Sequence, residues 1–188
     1  MESGHKYVSP PTKPPSYGGF GSLDFVLRVL LFVFTLVALI LMVSANETSD
    51  VTFGVLSVKI SAKYDMTPAN IYFVTAVTVV CLYSILSAMA SKAAASKPTM
   101  AANLLLYLIY ADTLMLGVLS AATGAAGAAA YIGLRGNSHA GWMEVCSHFH
   151  PYCKHIGSAV ACSLIGSIFL LLLTFFSARS LWSRVAPS

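Results

Sequence analysis

Apolar positions fall into four long runs, Phe25–Val43, Ile71–Ala90, Leu104–Ile132 and Ile156–Ala178, separated by short polar stretches. Each run approaches or exceeds the roughly 20 residues with which an α-helix crosses a hydrocarbon core. Polar or helix-breaking residues bound them: Asp24, Asn46, Pro68, Lys92, Asn103, Gly136, His155 and Arg179. The pattern predicts an all-α membrane protein, a four-transmembrane-helix bundle with helices at about 25–44, 70–90, 103–132 and 156–178. The third run is longer than a perpendicular crossing needs, so it tilts or protrudes. One loop has a different period. In Leu56–Tyr64 apolar and polar residues alternate, and Val51, Phe53 and Val55 alternate before them across Gly54. That period suits a small extracellular β-hairpin packed on the bundle, with an irregular loop as the other reading.

The stretch before the first run, residues 1–22, is rich in Pro, Gly, Ser and Tyr and includes Pro10, Pro11, Pro14 and Pro15. It has too few apolar residues to pack and reads as a disordered tail. Residues 23–179 form the membrane domain and 180–188 a short C-terminal tail. Val43-Ser44-Ala45 after the first run resembles a signal-peptide cleavage site, but the run exceeds the usual roughly 7–15 apolar residues and its tail is long, so the helix is read as retained.

Composition agrees with this architecture. Hydrophobic residues make up 57% of 188 positions and charged residues 10%, well under the roughly 25% charge of globular domains. A net charge of +4, scattered along the chain, points to an anionic bilayer surface rather than nucleic acid. Lys6, Lys13, Arg28, Lys92, Lys97, Arg179 and Arg184 fall on the side of the termini; Lys59, Lys63, Arg135 and Lys154 fall on the other. The heavier basic side is cytoplasmic, so both termini are expected there.

Two charges lie within the spans, Arg28 in the first and Asp112 in the third. At 1.5 Å of rise per residue, Arg28 lies about 7 Å and Asp112 about 13 Å inside the same face. The gap is within reach of an arginine side chain. Arg28 alone could snorkel to the headgroups, but Asp112 is too short and too deep to do so and needs a partner. An intramembrane Arg28–Asp112 ion pair is therefore expected. The same carboxylate supports a rival reading, a proton-coupled carrier or channel using Asp112. Relays usually need several titratable groups, and no span is broken by proline.

Cys146 and Cys153 lie in the second outer loop, where thiols oxidise, and a disulfide between them is the leading reading. The string from Cys146 to His155 also contains His148 and His150, so zinc is an alternative, although its spacing fits no regular zinc template. No metal site, cofactor, small-molecule substrate or nucleophile–base set is otherwise read. Asn46-Glu47-Thr48 is an N-glycosylation sequon lying almost at the membrane surface. Small residues at membrane-docking spacing mark the third and fourth helices: Gly117, Ser120, Gly124, Gly127 and Ala128, then Gly157, Ala161 and Gly166. Part of that surface is expected to join helices three and four and part to support self-association. Phe169, Leu170, Leu171, Leu172, Leu173, Phe175 and Phe176 read as lipid-facing.

Leu23-Asp24-Phe25-Val26-Leu27-Arg28, the stretch Ala111–Gly117, the run Ser120–Gly133, Gly136-Asn137-Ser138-His139, Trp142 and the paired cysteines occur in order. Together they resemble the Casparian strip membrane domain protein family of plants, and more closely its CASP-like branch, subfamily 1. The first outer loop, Glu47–Phe53, departs from the aromatic-rich signature of the founding members. The resemblance places the family's paired intramembrane charges on Arg28 and Asp112. It implies four helices, cytoplasmic termini, a plasma membrane location, and homodimers, higher homo-oligomers or hetero-oligomers with related members. It also implies a non-enzymatic scaffold that organises membrane domains, linked in founding members to local cell-wall modification.

Overall fold

The computed structural model describes residues 18–53, 56–96, 101–139, 141–142, 144, 146–147 and 149–185. Four helices, α1 (Gly18–Val43), α2 (Pro68–Ser96), α3 (Ala101–Arg135) and α4 (His150–Val185), are each long and apolar enough to cross a membrane. Between α1 and α2, strands β1 (Asn46–Phe53) and β2 (Leu56–Lys63) pair antiparallel, with Asn46 opposite Lys63 and Phe53 opposite Leu56. A single 3₁₀ turn, Tyr64–Met66, leads from the hairpin into α2. The hairpin, the start of α2 and the start of α4 share one end of the bundle. The start of α1 and the end of α4 share the other.

Local chemistry sets the helix ends. Pro68 opens α2, where a missing N–H costs nothing, and the Thr67 carbonyl accepts from Asn70 N at 2.9 Å. Pro151 sits in the first turn of α4 for the same reason, so α4 begins at His150 rather than near 156. The other boundaries also extend past the sequence reading. Gly18–Ser22 belong to α1 instead of the tail, and α4 continues through residues assigned to the C-terminal tail. The remaining tail residues, 1–17 and 186–188, lie outside the described residues. Helical threonines return their hydroxyls to carbonyls one turn back, as Thr35 does to Leu31 O at 2.8 Å and Thr123 to Leu119 O at 2.7 Å. Each hydroxyl is thereby satisfied without water.

The helices pack as a ring: α1 on α2 and α4, and α3 on α2 and α4. This leaves α1 and α3 facing each other across the middle. Leu31, Met42, Phe73, Val77, Leu119, Leu170 and Leu173 are fully buried between them. Gly166 of α4 lies at the centre, where a Cβ would sit 3.6 Å from Leu119 and Thr35 and 3.7 Å from Leu31. The bulky run of α4 therefore does not face lipid throughout. Leu170 and Leu173 are core, and Phe169, Leu172 and Phe176 pack against it. Leu171 and Phe175 are the members of that run that stay exposed. Seven bulky residues along about two turns must sweep past the interior, because a helix turns every 3.6 residues.

Candidate functional site

Near the termini end of the bundle, α1, α2 and α3 converge on one polar cluster. Arg28 donates from both terminal nitrogens to the two carboxylate oxygens of Asp112, at 3.2 and 3.1 Å. Both side chains are 0% exposed. The guanidinium is planar, and this forked contact matches a carboxylate in direction as well as charge. Its remaining Nε–H donates to Asp24, one turn earlier on α1, at 3.0 Å. Asp112 Oδ1 also accepts from the Tyr83 hydroxyl of α2 at 2.5 Å. Ser91, also on α2, donates to Asp24. At the rim, the Lys92 ammonium stands 4.0 Å from the centre of the Phe25 ring.

Three members of this cluster escaped the sequence reading. Asp24 was treated as punctuation before a span; its side chain is 20% exposed and it shares Arg28 with Asp112. A carboxylate four residues before an arginine is the signal that could have found it. Tyr83 and Ser91 carry no charge, and nothing in the α2 run separates an inward hydroxyl from a lipid-facing one. The cluster has one cation, two carboxylates and two hydroxyl donors, so every oxygen of Asp112 has a partner. It can hold helices together.

Residues 18–169 match the family described as the Casparian strip membrane protein domain. The chain belongs to that family. Its relatives in subfamily 1 include CASP-like protein 1D2 of Glycine max, 41% identical over 96% of this chain and 93% of the relative. CASP-like protein 1D1 of Vitis vinifera is 42% identical over 89% of this chain and 81% of its own length. CASP-like protein 1D2 of Arabidopsis thaliana is 40% identical over 91% of this chain and 87% of its own. No solved structure matches.

At the hairpin end of this CASP-like chain, Gly136 closes α3 with φ of 66°, a left-handed cap. Its N–H donates to Ile132 O at 2.8 Å. A Cβ there would meet the Trp142 carbonyl at 2.9 Å, so only glycine fits. Asn137 and Trp142 exchange backbone hydrogen bonds at 2.9 and 3.0 Å, and Asn137 Oδ1 accepts from His139 N at 3.1 Å. Gly136-Asn137-Ser138-His139 is thus a cap-and-turn device. Cys146 and Cys153 form a disulfide with Cα atoms 5.8 Å apart, inside the usual span for such a bridge. Their sulfurs are consequently unavailable to zinc. Among the described residues, no three His, Cys, Asp or Glu side chains cluster as metal ligands; His148 lies outside them.

The small residues divide into two groups. Gly166 is buried and Gly127 is half-buried against Val160, so these two admit neighbouring helices. Gly117, Ser120, Gly124 and Ala128 on α3, with Gly157 and Ala161 on α4, are exposed, and a Cβ on any of these three glycines would meet no neighbouring helix within 4 Å. α3 and α4 also share a polar contact at mid-depth, where the Thr123 and Ser163 hydroxyls are joined by a hydrogen bond of 2.5 Å. Asn46 is exposed just past the end of α1, and its amide donates to Val43 O at 3.1 Å.

Proposed function

We propose that this chain is a non-enzymatic scaffold of the plant plasma membrane, with cytoplasmic termini and an extracellular hairpin and disulfide. It self-associates, or pairs with relatives, to organise membrane domains that can serve local cell-wall modification. The heavier basic side at the termini supports the orientation. The observation that carries the reading is the contrast between two faces of α3. Inward, Asp112 is fully engaged. Outward, Gly117, Ser120, Gly124 and Ala128 are exposed, and beyond the helix's own backbone no atom lies within 4 Å of where a Cβ would stand on either glycine. Such a face lets a second helix approach to backbone contact, which drives association within lipid. A carrier built on Asp112 would need water to reach it, and its burial with both oxygens held by Arg28 favours the scaffold over transport.

The test is cross-linking in membranes, in a background where the two free cysteines, one on α2 and one on α4, are replaced by Cys81→Ala and Cys162→Ala. Under mild oxidation Gly124→Cys should give a linked dimer, whereas Leu86→Cys, exposed on α2, should not. Equal linking at both positions, or none at either, removes the proposal.

A further inference from the structure

Between the end of α1 and the first turns of α4 lies an open groove of about 430 Å³, lined by Leu41, His150, Pro151, Lys154, His155 and Ser158. Leu41 gives it an apolar side, and α4 gives it a polar one. Lys154 is exposed, as are His150 and Ser158. Among the described residues Lys154 forms no ion pair, and no carboxylate lines the groove. Asp65 acts instead on Tyr152, and Glu144 lies against Gly136. His155 Nδ1 donates to Pro151 O at 3.1 Å, which fixes its ring. The groove therefore carries positive charge that the described part of the chain does not balance.

Its depth is set by the helix ends. Leu41 lies two residues before the end of α1 at Val43, about 3 Å along the axis. Lys154 stands one turn outward of Ser158, about 6 Å at the helical rise. The headgroup layer adds roughly 5–7 Å to each side of the hydrocarbon core, so Leu41 marks the edge of that core and Lys154 falls among the phosphates. Below the groove the same helix faces continue as an apolar seam. Val37, one turn below Leu41, and Ile165, two turns below Ser158, are both exposed. Phe34 and Phe169 close the seam edge-to-face, with ring centres 5.5 Å apart. From Leu41 to Phe34 the seam runs roughly 10 Å.

We infer that this groove holds an anionic phospholipid from the leaflet at the hairpin end, with its phosphate on Lys154 and one acyl chain in the seam between α1 and α4. The Ser158 hydroxyl and the His150 imidazole donate to the same phosphate, and Leu41 meets the first carbons of the chain. A neutral lipid would leave Lys154 without an anion. A zwitterionic choline headgroup would bring a second cation beside it. Charge on the lipid therefore decides the occupant, as it does for basic pockets between membrane helices. The site is built from α1 and α4 alone and does not depend on the α3 face invoked for self-association.

The test uses the full chain in phosphatidylcholine nanodiscs doped with phosphatidylglycerol that carries a photoreactive group on one acyl chain. Saturable labelling is expected on peptides covering residues 34–41 and 158–169. At equal mole fraction, unlabelled phosphatidylglycerol should compete at least about fivefold better than diacylglycerol or added phosphatidylcholine, the discrimination one basic side chain supplies at a membrane surface. Lys154→Gln should lower labelling by a similar factor and Lys154→Arg should retain it; because the side chain is exposed, unfolding midpoints of both variants should match the parent. Labelling spread evenly over all four helices, equal competition by diacylglycerol or phosphatidylcholine, or unchanged labelling of Lys154→Gln would each overturn the inference. Displacement of the label by millimolar inorganic phosphate would make the groove a site for free anions, and the absence of saturable label would leave it to water, with the same consequence.

Discussion

Arg28 and Asp112 are joined by a two-pronged contact although the helices that carry them lie opposite one another in the bundle. The long arginine side chain closes the interior gap that α2 and α4 hold open. Since Tyr83 enters the same carboxylate from α2, one polar centre ties three helices together. Such a centre gives direction and register to a bundle whose other buried polar groups are neutral hydroxyls and an amide among the described residues.

Removing one partner should strand the other in a dry interior. Arg28→Ala and Asp112→Ala are each expected to destabilise by about 3–5 kcal/mol. Arg28→Ala combined with Asp112→Ala should cost clearly less than the two single effects added. Thermal unfolding in mild detergent, run as a double-mutant cycle, measures the coupling; additive losses would show that the two side chains do not depend on each other.

Tyr83→Phe deletes one donor to a charged acceptor and leaves the ring in place. The expected loss is about 1.5–3 kcal/mol, smaller than for Asp112→Ala. In the background of Asp112→Ala the same change should have almost no further effect, because the hydroxyl's partner is already gone. Unfolding midpoints of the four proteins decide this.

The glycines should separate into two behaviours. At Gly166 leucine must displace Leu119, Thr35 and Leu31, with an expected cost of about 1–3 kcal/mol or more. At Gly124 leucine has open space and should leave monomer stability unchanged while weakening dimer cross-linking through Ser120→Cys. A stability loss at Gly124 as large as that at Gly166 would contradict this division.

Gly136→Ala should destabilise the end of α3. Its φ is left-handed, and the new methyl would press on the Trp142 carbonyl. The left-handed conformation alone costs roughly 1–2 kcal/mol with a side chain. The readout is hydrogen exchange: protection at Gly136 and Asn137 should fall, while the Arg28–Asp112 end stays protected.

The strand alternation in Leu56–Tyr64 was legible because a period of two is visible in any ten residues, and the hairpin follows it. The reach between Arg28 and Asp112 was also legible, since rise along a helix converts residue number into depth. The partners from α2 were not, because Tyr83 sits in a mostly apolar run and Ser91 just past its end, and neither carries a charge that demands a partner. The lipid-facing reading of the run from Phe169 to Phe176 went astray for the same reason. It counted bulky residues without knowing which azimuth pointed inward, and Leu170 and Leu173 proved to be core.

What the sequence by itself determined is measured along a helix axis: the number of spans, the depth of each charge and where glycine or proline marks a helix end. Fixed covalent geometry and a constant rise make those quantities local. Tertiary structure alone decided rotation and neighbourhood, including the ring order that sets α1 opposite α3, the inward turn of Tyr83 and the two small-residue faces. A soluble helix advertises its buried side by a polar opposite face. These helices are apolar all round, so only the simultaneous fit of four of them chooses which side chains meet.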